Sequence, residues 1–413
     1  MQRILAYFVL VVGLEAGGLT AQTYFPPVPA ASGPWETVSP ASLGWCPDAV
    51  DDLHAFAAAT GTRALLVLED GRIALEGYYN GHGPDSVWYW ASAGKSALAA
   101  LVARAAQEGS LTPDTPVSTV LGPGWSSAPA ATESAVTVRH LLSMTSGFDD
   151  GVPDDDCWAP ECLLPLAAPG TRWAYHNAPY TLLHEVLSEA TGLSVNAFLF
   201  SRMFTPIGAS GLYLTPPSEP WNRILYSKAR DAARFGLLAE RGWNWNGTYV
   251  LTDSTLRASL TSPSSTLNPS YGWLWWLNGG PTHLLPTSQF SFPGALVPGA
   301  PADLHMALGR NDQKIWAVPS QDLVIVRLGD EAGYPSLAGF DYNAALWSHV
   351  VAARLGCCPP DLDGDTTVAV PDVLLFLSGY GCSAGCAEDL TGDGAVGSAD
   401  LNVLLAAFGV PCP

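Results

Sequence analysis

The stretch Ser92-Ala93-Gly94-Lys95 begins an apolar segment with helical periodicity that extends to Gln107. A serine and a lysine three residues apart on a helix share one face, so the Lys95 amine can reach the Ser92 hydroxyl. A serine hydroxyl is a weak nucleophile at neutral pH, and a lysine whose pKa is lowered by burial can act as its base. The N–H groups at the start of the helix also suit a developing oxyanion. By itself Ser-x-x-Lys is a weak signal, and its meaning depends on the motifs that accompany it.

Two further motifs follow along the chain. They are His140-Leu141-Leu142-Ser143-Met144-Thr145-Ser146-Gly147 and Tyr175-His176-Asn177, the latter preceded by Pro169-Gly170-Thr171. In this order and spacing the chain resembles the serine β-lactamase-related family, over roughly residues 45–356. That family includes class C β-lactamases, D-Ala-D-Ala carboxypeptidases, D-aminopeptidases, certain esterases and 6-aminohexanoate-dimer hydrolases.

The resemblance implies a role for each matched residue. Ser92 corresponds to the acylated nucleophile and Lys95 to the lysine that shares its proton. Tyr175 corresponds to the tyrosine that relays a proton between nucleophile, leaving group and deacylating water. Asn177 corresponds to the polar residue that orients substrate and lysine. His176 is expected to point the other way, in a structural role, and no cofactor is needed for catalysis.

The sequence departs from the family at its third motif. β-Lactamases carry Lys-Thr-Gly on the strand that lines the site, whereas the equivalent stretch here, 307–313, is Ala-Leu-Gly-Arg-Asn-Asp-Gln. This strand supplies a backbone N–H to the oxyanion hole beside that of Ser92, and we assign the donor to Arg310. Gly309 and Asn311 are expected to contact substrate.

The missing Lys-Thr-Gly also bears on specificity. It removes the cation that would hold the carboxylate of a β-lactam or a peptide, and Arg310 either replaces that cation or lies at the surface. The predicted substrate is a small-molecule ester or amide, or a peptide. β-Lactamase or D,D-peptidase activity is the alternative. A catalytically inactive binding protein is the alternative from another class, disfavoured because the Ser, Lys, Tyr and Asn positions are complete.

The order of apolar patterns predicts the fold class. Asp70-Gly71 between two apolar runs is typical of a β-hairpin, strand-like runs return at 315–318 and 323–328, and helix-like segments lie between them. This order predicts one α/β unit whose sheet is built from distant parts of the chain. The resemblance implies a β-lactamase/transpeptidase-like fold of the α+β kind, with an antiparallel sheet flanked by helices and a helical lobe. The hydrolase domain is expected at 45–356.

The N-terminal region has the features of an exported protein. Arg3, the apolar run 4–14 and small residues up to Ala21 are typical of a bacterial-type signal peptide at 1–21. The Pro-rich segment 22–44 is predicted to be an extended leader. No later stretch has eighteen uninterrupted apolar residues, so no membrane span is expected, and the protein is predicted to be secreted or attached to the cell surface.

The charge excludes one class of partner. Lys and Arg number 18 and Asp and Glu number 38, which leaves a formal charge of −20. Phosphate backbones would repel such a chain, so no nucleic acid is expected to bind.

Residues 357–413 contain an acidic motif that occurs twice. Asp361-Leu362-Asp363-Gly364-Asp365 reappears 28 residues later, and each copy continues through an Asp at position twelve into an apolar helix. Oxygen ligands at alternate positions, closed by a carboxylate at position twelve, are what Ca²⁺ requires. The predicted ligands are Asp361, Asp363, Asp365 and Asp372 in the first loop and Asp389, Thr391, Asp393 and Asp400 in the second.

The duplicated loop–helix unit resembles a type I dockerin module. The resemblance implies two bound Ca²⁺ ions and a cohesin-type scaffold as partner. A calcium-stabilised anchor without a cohesin partner and a plain acidic tail are the alternatives.

Eight cysteines, an even number, fit disulfides in an exported chain. One candidate set among the 105 pairings joins Cys157–Cys162, Cys382–Cys386, Cys358–Cys412 and Cys46–Cys357. The three tryptophans at 273, 275 and 276 are either an aromatic wall for substrate or, more simply, part of the core.

Overall fold

The computed structural model describes residues 23–28, 33–216, 223–334, 340–354, 358–365, 367–383, 386, 388–391 and 394–409. Within them the α-helices are α1 (Pro47–Ala59), α2 (Gly94–Gln107), α3 (Val117–Leu121), α4 (Ala130–Ala135), α5 (Val138–Leu142), α6 (Asn177–Thr191), α7 (Val195–Leu199), α8 (Thr205–Ile207), α9 (Ala229–Glu240), α10 (Ser254–Thr261), α11 (Phe340–Arg354), α12 (Val370–Gly379) and α13 (Ser398–Ala407). The β-strands are β1 (Thr62–Glu69), β2 (Arg72–Tyr78), β3 (Val87–Tyr89), β4 (Leu212–Leu214), β5 (Ile224–Lys228), β6 (Asn244–Trp245), β7 (Thr248–Tyr249), β8 (Trp276–Leu277), β9 (Thr282–His283), β10 (Phe292–Pro293), β11 (His305–Gly309), β12 (Gln313–Val318) and β13 (Leu323–Gly329).

A six-stranded antiparallel sheet organises the large domain, in the order β2-β1-β13-β12-β11-β8. Strand β1 from the start of the domain pairs with β13 from its end, with Ala64 opposite Leu328. The prediction of an antiparallel sheet built from distant parts of the chain is therefore confirmed. Every residue of β12 and β13 is buried, as expected for central strands covered on both faces.

The turn between β1 and β2 follows the sequence prediction. Glu69 pairs with Arg72, which leaves Asp70 and Gly71 as a two-residue loop. Both have positive φ angles, 45° and 77°, as a tight hairpin of this length requires. Asp tolerates this conformation better than most residues, and Gly adopts it without steric cost.

Helix α2 connects the sheet to the helical lobe. Its residues from Gly94 to Ala103 are all buried, and it contacts both β11 and α6. A helix that is apolar on every side belongs in a core. Because the reactive motif lies at the N-terminal end of this helix, the fold holds it rigidly between the sheet and the lobe.

Part of the predicted leader packs against the large domain. Trp35 is buried, and its indole N–H donates a hydrogen bond of 2.8 Å to the Gly71 carbonyl. Thr37 forms an isolated parallel bridge with Ile73 in β2. Such contacts could not be foreseen from a Pro-rich composition, because they depend on where the hairpin turn lies. The predicted signal peptide at 1–21 lies outside the described residues.

The C-terminal repeat has a hydrophobic core of its own. It is formed by Val368, Phe376, Val396 and Leu404, two from each copy, and is separate from the large core. Helices α12 and α13 begin at equivalent positions, 28 residues apart. The repeat seen in the sequence is thus also a structural repeat.

The described cysteines are all in disulfides. Cys157–Cys162 and Cys382–Cys386 pair as expected. Cys46 and Cys358 are also disulfide-bonded, and the partners expected for them, Cys357 and Cys412, lie outside the described residues. None of the described helices has the length and apolar character needed to cross a bilayer.

Candidate active site

Ser92 lies in a short 3₁₀ turn, Ala91–Ala93, directly before α2. The sequence predicted a helix from Ser92 onwards, but the regular helix begins at Gly94. Ala91 before the serine has a φ of 48°, which is uncommon for a residue with a side chain. Gly94 lies so close to β5 that a Cβ there would stand 3.1 Å from the Leu225 Cβ. These constraints fix the position of the serine.

Lys95 is in direct hydrogen-bond contact with Ser92. Its Nζ donates hydrogen bonds of 2.7 Å to Ser92 Oγ and 2.9 Å to Asn177 Oδ1. The side chain is buried, and its ammonium lies 4.8 Å from the ring centre of Tyr175 and 4.2 Å from that of Tyr180. The helical spacing that predicted Ser92–Lys95 contact is therefore matched by the geometry.

Burial controls the charge state of Lys95. It lowers the pKa of the amine to about 7, an effect that the carboxylates of Asp156 and Asp155 oppose and Arg310 reinforces. A buried ammonium loses hydration, so the neutral form becomes accessible near neutral pH. A lysine poised in this way can accept a proton from the serine.

Tyr175 approaches the same hydroxyl from the loop before α6. It is hydrogen-bonded to Ser92, yet burial raises the pKa of the phenol to about 12. Its ring stacks on Trp276 with centroids 5.6 Å apart. The phenol therefore stays protonated at neutral pH and is held rigidly enough to donate or relay a proton.

Asn177, the first residue of α6, links two parts of the site. Its Oδ1 accepts the Lys95 hydrogen bond, and its Nδ2 lies 3.5 Å from Asp155 Oδ2. His176 is buried, lines neither cavity at the serine, and its ring nitrogens have no hydrogen-bond partner among the described residues. This agrees with the structural role predicted for it.

The end of β11 lies against the backbone that carries the serine. A Cβ at Gly309 would stand 2.3 Å from the Trp90 carbonyl oxygen and 3.1 Å from the Ala93 nitrogen, so only glycine allows this approach. The following turn contains Arg310, which is exposed, and Asn311 and Asp312, with φ angles of 59° and 60°. Asn and Asp are the residues other than Gly that best tolerate such angles, so both fit this turn.

Buried polar side chains hold this turn from behind. The Gln313 amide donates to the carbonyls of Asn311 and Gly329 at 2.8 and 2.6 Å and accepts from the Gly329 N–H at 2.9 Å. Arg327 donates to the Asn311 carbonyl at 2.8 Å. On the site side, Asn311 Nδ2 donates to the Tyr89 hydroxyl at 2.8 Å. Gln313 and Arg327 are both fully buried, so the turn is rigid.

Two cavities meet at the serine. One, of about 410 Å³, is lined by Trp276, Tyr175, Leu308, Asp155, Glu331 and Tyr334 among others. The second, of about 360 Å³, is lined among others by Tyr89, Tyr180, Tyr226, Lys95 and Asp156. Ser92, Asn177, Arg310 and Asn311 line both. Two spaces that share a nucleophile can receive the two parts of a scissile substrate.

The tryptophan stretch divides between core and cavity. Trp273 and Trp275 are buried in the core, whereas Trp276 is buried and also lines the larger cavity. Trp273 and Trp275 are therefore core residues, as the simpler interpretation predicted. Of the three tryptophans, only Trp276 has a position that fits an aromatic wall for substrate.

Sequence reasoning missed Asp155 and Asp156. They belong to a loop that ends in the Cys157–Cys162 disulfide, and the Asp155 carbonyl accepts a hydrogen bond of 2.8 Å from Ala178 in α6. The only signal in the sequence was the acidic run 154–156 just before a cysteine. Acidic runs are usually solvated loops, so this one did not stand out.

The acidic loops of the C-terminal repeat form a second candidate site. Carboxylate oxygens of Asp361, Asp363, Asp365 and Asp372 all lie within 4.8 Å of one another. In the second loop Asp400 accepts hydrogen bonds of 2.8 Å from the Thr391 N–H and hydroxyl, and Gly394 N–H donates to Asp389 at 2.8 Å. Asp393 lies outside the described residues. The first loop thus has four convergent oxygen donors, which fits a Ca²⁺ ion.

Comparisons with known proteins identify the family. The Beta-lactamase family model matches residues 53–333. An uncharacterized protein of Alkalihalophilus pseudofirmus is 24% identical over 317 residues, covering 68% of this chain and 87% of that protein. Penicillin-binding protein 4 of Amycolatopsis lactamdurans is 32% identical over 162 residues, which covers 35% of this chain and 42% of that protein.

A solved structure shares the fold. The penicillin-binding protein homolog from Caulobacter crescentus superposes with a TM-score of 0.59 at 19% sequence identity, and the match covers 75% of this chain and 99% of that one. At this identity the likeness concerns the fold alone. With the family model spanning most of the large domain and the serine, lysine and tyrosine in contact, the chain belongs to the Beta-lactamase family of serine β-lactamase and penicillin-binding-protein-like hydrolases.

Proposed function

We propose that the protein hydrolyses an ester or amide through an acyl-enzyme on Ser92. The observation that supports it most is the hydrogen bond of 2.7 Å from a buried Lys95 to the Ser92 hydroxyl. The neutral amine takes the serine proton as Oγ attacks the substrate carbonyl, and the carbonyl oxygen becomes an oxyanion. When the carbonyl re-forms, the scissile C–O or C–N bond breaks, the leaving group departs with a proton from the Lys95–Tyr175 pair, and the acyl group stays on Ser92. The same assistance then activates water to cleave the acyl-serine bond and release the acid.

Tyr175 completes the proton path in this proposal. Its phenol is hydrogen-bonded to Ser92, and its high pKa keeps the proton available for the leaving group. Asn177 orients Lys95 by accepting its second hydrogen bond. The lysine is thus held within reach of the serine hydroxyl and restrained by its hydrogen bond to Asn177.

The oxyanion is proposed to bind the backbone N–H groups of Ser92 and Arg310. The support is the contact of Gly309 with the backbone at Trp90 and Ala93, which brings the end of β11 beside the nucleophile turn. Gly309 and Asn311 line the cavity next to Arg310 and are the proposed substrate contacts. Donors fixed before the reaction stabilise developing charge without a reorganisation cost.

Ester or amide substrates are favoured over β-lactams because the strand carries Gly309-Arg310-Asn311 in place of Lys-Thr-Gly. β-Lactamase or D,D-peptidase activity remains the alternative, with the exposed Arg310 as the carboxylate-binding cation. A non-catalytic binding protein is the alternative of another class, and the poised Lys95–Ser92 pair argues against it.

A screen with p-nitrophenyl esters, D-amino-acid amides and a chromogenic cephalosporin tests these alternatives. The proposal expects kcat/KM for esters to exceed that for the cephalosporin by a wide margin, and Ser92→Ala to be inactive. Comparable values for the two substrates would favour a β-lactamase. No turnover of any substrate by folded protein would favour the binding protein.

For the C-terminal repeat we propose calcium binding. The four convergent carboxylates of the first loop support it, and such a group would repel itself without a cation. Asp361, Asp363, Asp365 and Asp372 would hold one ion, and Asp389, Thr391, Asp393 and Asp400 a second. A cohesin-type scaffold is the proposed partner of this dockerin-like module.

Export of the protein is also a proposal. It rests on the signal-peptide pattern at 1–21 and is supported by the disulfides of the described residues, which persist in oxidising compartments. N-terminal sequencing of protein recovered from culture medium, with Gln22 as the expected first residue, tests it.

A further inference from the structure

The smaller cavity at Ser92 has an unusual lining. Three tyrosines, Tyr89, Tyr180 and Tyr226, and one carboxylate, that of Asp156, face the same space of about 360 Å³. We call it the tyrosine cavity. Tyr89 and Tyr226 lie on the paired strands β3 and β5, with ring centroids 6.4 Å apart, and Tyr180 is on α6. The rings thus come from three separate elements and line one space.

The rings can hold a cation. Tyrosine faces attract ammonium groups within about 6 Å of the ring centroid, and clusters of such rings recognise quaternary ammonium ligands. Tyr180 already does so within the protein, since Lys95 Nζ lies 4.2 Å from its ring centre. Tyr89 and Tyr226 are only partly buried, so their faces remain accessible to a ligand.

The carboxylate supplies the charge. Asp156 is half-buried, and among the described residues no salt bridge or side-chain hydrogen bond engages its carboxylate. Its backbone is fixed, because its N–H donates to Asp154 Oδ1 at 3.2 Å and the next residue is in the Cys157–Cys162 disulfide. A partly buried carboxylate without a bonded partner is a strong site for a cationic group.

Two cations of the protein border the same space and attract the Asp156 carboxylate, but among the described residues neither forms a salt bridge with it. Lys95 directs its Nζ to Ser92 and Asn177. Arg310 is exposed and lines both cavities, so solvent screens its charge. Asp155 faces the other cavity and adds to the negative field.

We propose that the tyrosine cavity binds a positively charged group of the substrate, an alkylammonium or quaternary ammonium group, on one side of the scissile bond. The proposal rests on the acyl-enzyme function of Ser92 and specifies its substrate class. Asp156 is the specificity-determining residue, and the three tyrosines provide the faces that enclose the cation.

Two pairs of isosteric esters test this on the full-length protein. With the charge on the acyl side, the pair is p-nitrophenyl 4-(trimethylammonio)butyrate and p-nitrophenyl 5,5-dimethylhexanoate. With the charge on the leaving group, it is acetylcholine and 3,3-dimethylbutyl acetate. In one of the two pairs kcat/KM for the cationic ester should exceed that of the neutral one by about tenfold, as cation–π and charge contacts of this kind allow.

Single substitutions test whether the preference for the cationic ester arises in the tyrosine cavity. Asp156→Asn should bring the ratio close to one, and any effect on Lys95 cancels because both esters use the same lysine. Glu331→Gln, which removes a carboxylate from the other cavity only, should leave the ratio unchanged. Arg310→Gln, which removes the bordering cation, should increase the ratio.

Three results would overturn the proposal. They are a wild-type ratio near one in both pairs, a ratio that survives Asp156→Asn, or an equal fall in Asp156→Asn and Glu331→Gln. If no ester is cleaved and Ser92 is unreactive, the acyl-enzyme function fails instead. Titration calorimetry with tetramethylammonium then tests cation binding by the tyrosine cavity separately. Weaker binding to Asp156→Asn than to wild type supports the cation site, and no binding to wild type refutes it.

Discussion

Lys95 Nζ lies 2.7 Å from Ser92 Oγ at a site where only 3% of the lysine is exposed. A charged lysine so deeply buried loses its hydration, and its pKa falls to about 7. The distance and the burial act together, because a base must both reach the hydroxyl and be neutral at working pH. The predictions below follow from this pair and from the groups that surround it.

The first prediction concerns pH. Only the neutral amine can accept the serine proton, so kcat/KM for a p-nitrophenyl ester should be retained above about pH 7 and lost as pH falls through the pKa of Lys95. Asp156→Asn removes the largest opposing charge and should move this acid limb to lower pH. Glu331→Gln is the control and should leave the limb in place. An acid limb at the same pH in Asp156→Asn would contradict the assignment.

The second prediction concerns Tyr175. Tyr175→Phe keeps the ring that stacks on Trp276 and removes the phenolic proton relay. Turnover should fall by about 10²–10⁴, the usual span for lost acid–base assistance, with little change in melting temperature. Tyr334→Phe removes a phenol from the larger cavity and should change turnover little. Similar kinetics in the two variants would show that the phenol of Tyr175 has no special role.

The third prediction concerns the turn at 310–312. Gln313→Ala leaves the buried Gly329 N–H without its side-chain acceptor and removes one of two side-chain donors from the Asn311 and Gly329 carbonyls, which should cost about 1–3 kcal/mol of unfolding free energy. Because the turn carries the proposed oxyanion donor, kcat should fall more than KM rises. Gln289→Ala, which removes an exposed glutamine with one hydrogen bond to the Trp173 carbonyl, is the control and should change both quantities little. Denaturant unfolding and steady-state kinetics check both parts, and a stable variant with full kcat would contradict this account.

The fourth prediction concerns metal removal. Chelation of the full-length protein should loosen the C-terminal repeat, because its clustered carboxylates would then repel each other. Esterase activity should be nearly unchanged, since the proposed catalytic residues all precede Gln313. Limited proteolysis with and without EGTA, and calorimetry with Ca²⁺ on wild type and Asp365→Ala, measure the effect. Equal proteolysis in both conditions, with no heat from Ca²⁺, would refute calcium binding.

The sequence predicted those features that depend on local pattern. Asp70-Gly71 predicted the hairpin because few residues tolerate its φ angles, and the Ser92–Lys95 spacing predicted their contact because helix geometry fixes it. The predicted start of α2, Ser92, lies two residues before the observed start at Gly94. A 3₁₀ turn precedes the helix, and no separate signature in the sequence marks it.

Features that depend on tertiary folding could not be predicted in this way. Asp156 reaches the site only because its loop is tied to α6 and closed by a disulfide. The close approach of Gly309 to Trp90 likewise depends on how the sheet and α2 meet. Neither has a periodicity or a spacing in the sequence from which it could be derived.

Mass spectrometry of the intact protein tests the central claim most directly. After brief reaction with a fluorophosphonate, the wild type should gain the mass of one adduct, and peptide mapping should locate it on Ser92. Ser92→Ala, shown to be folded by circular dichroism, should gain none. An adduct of equal yield on Ser92→Ala, or a wild-type protein that hydrolyses esters without labelling at Ser92, would contradict the acyl-enzyme account.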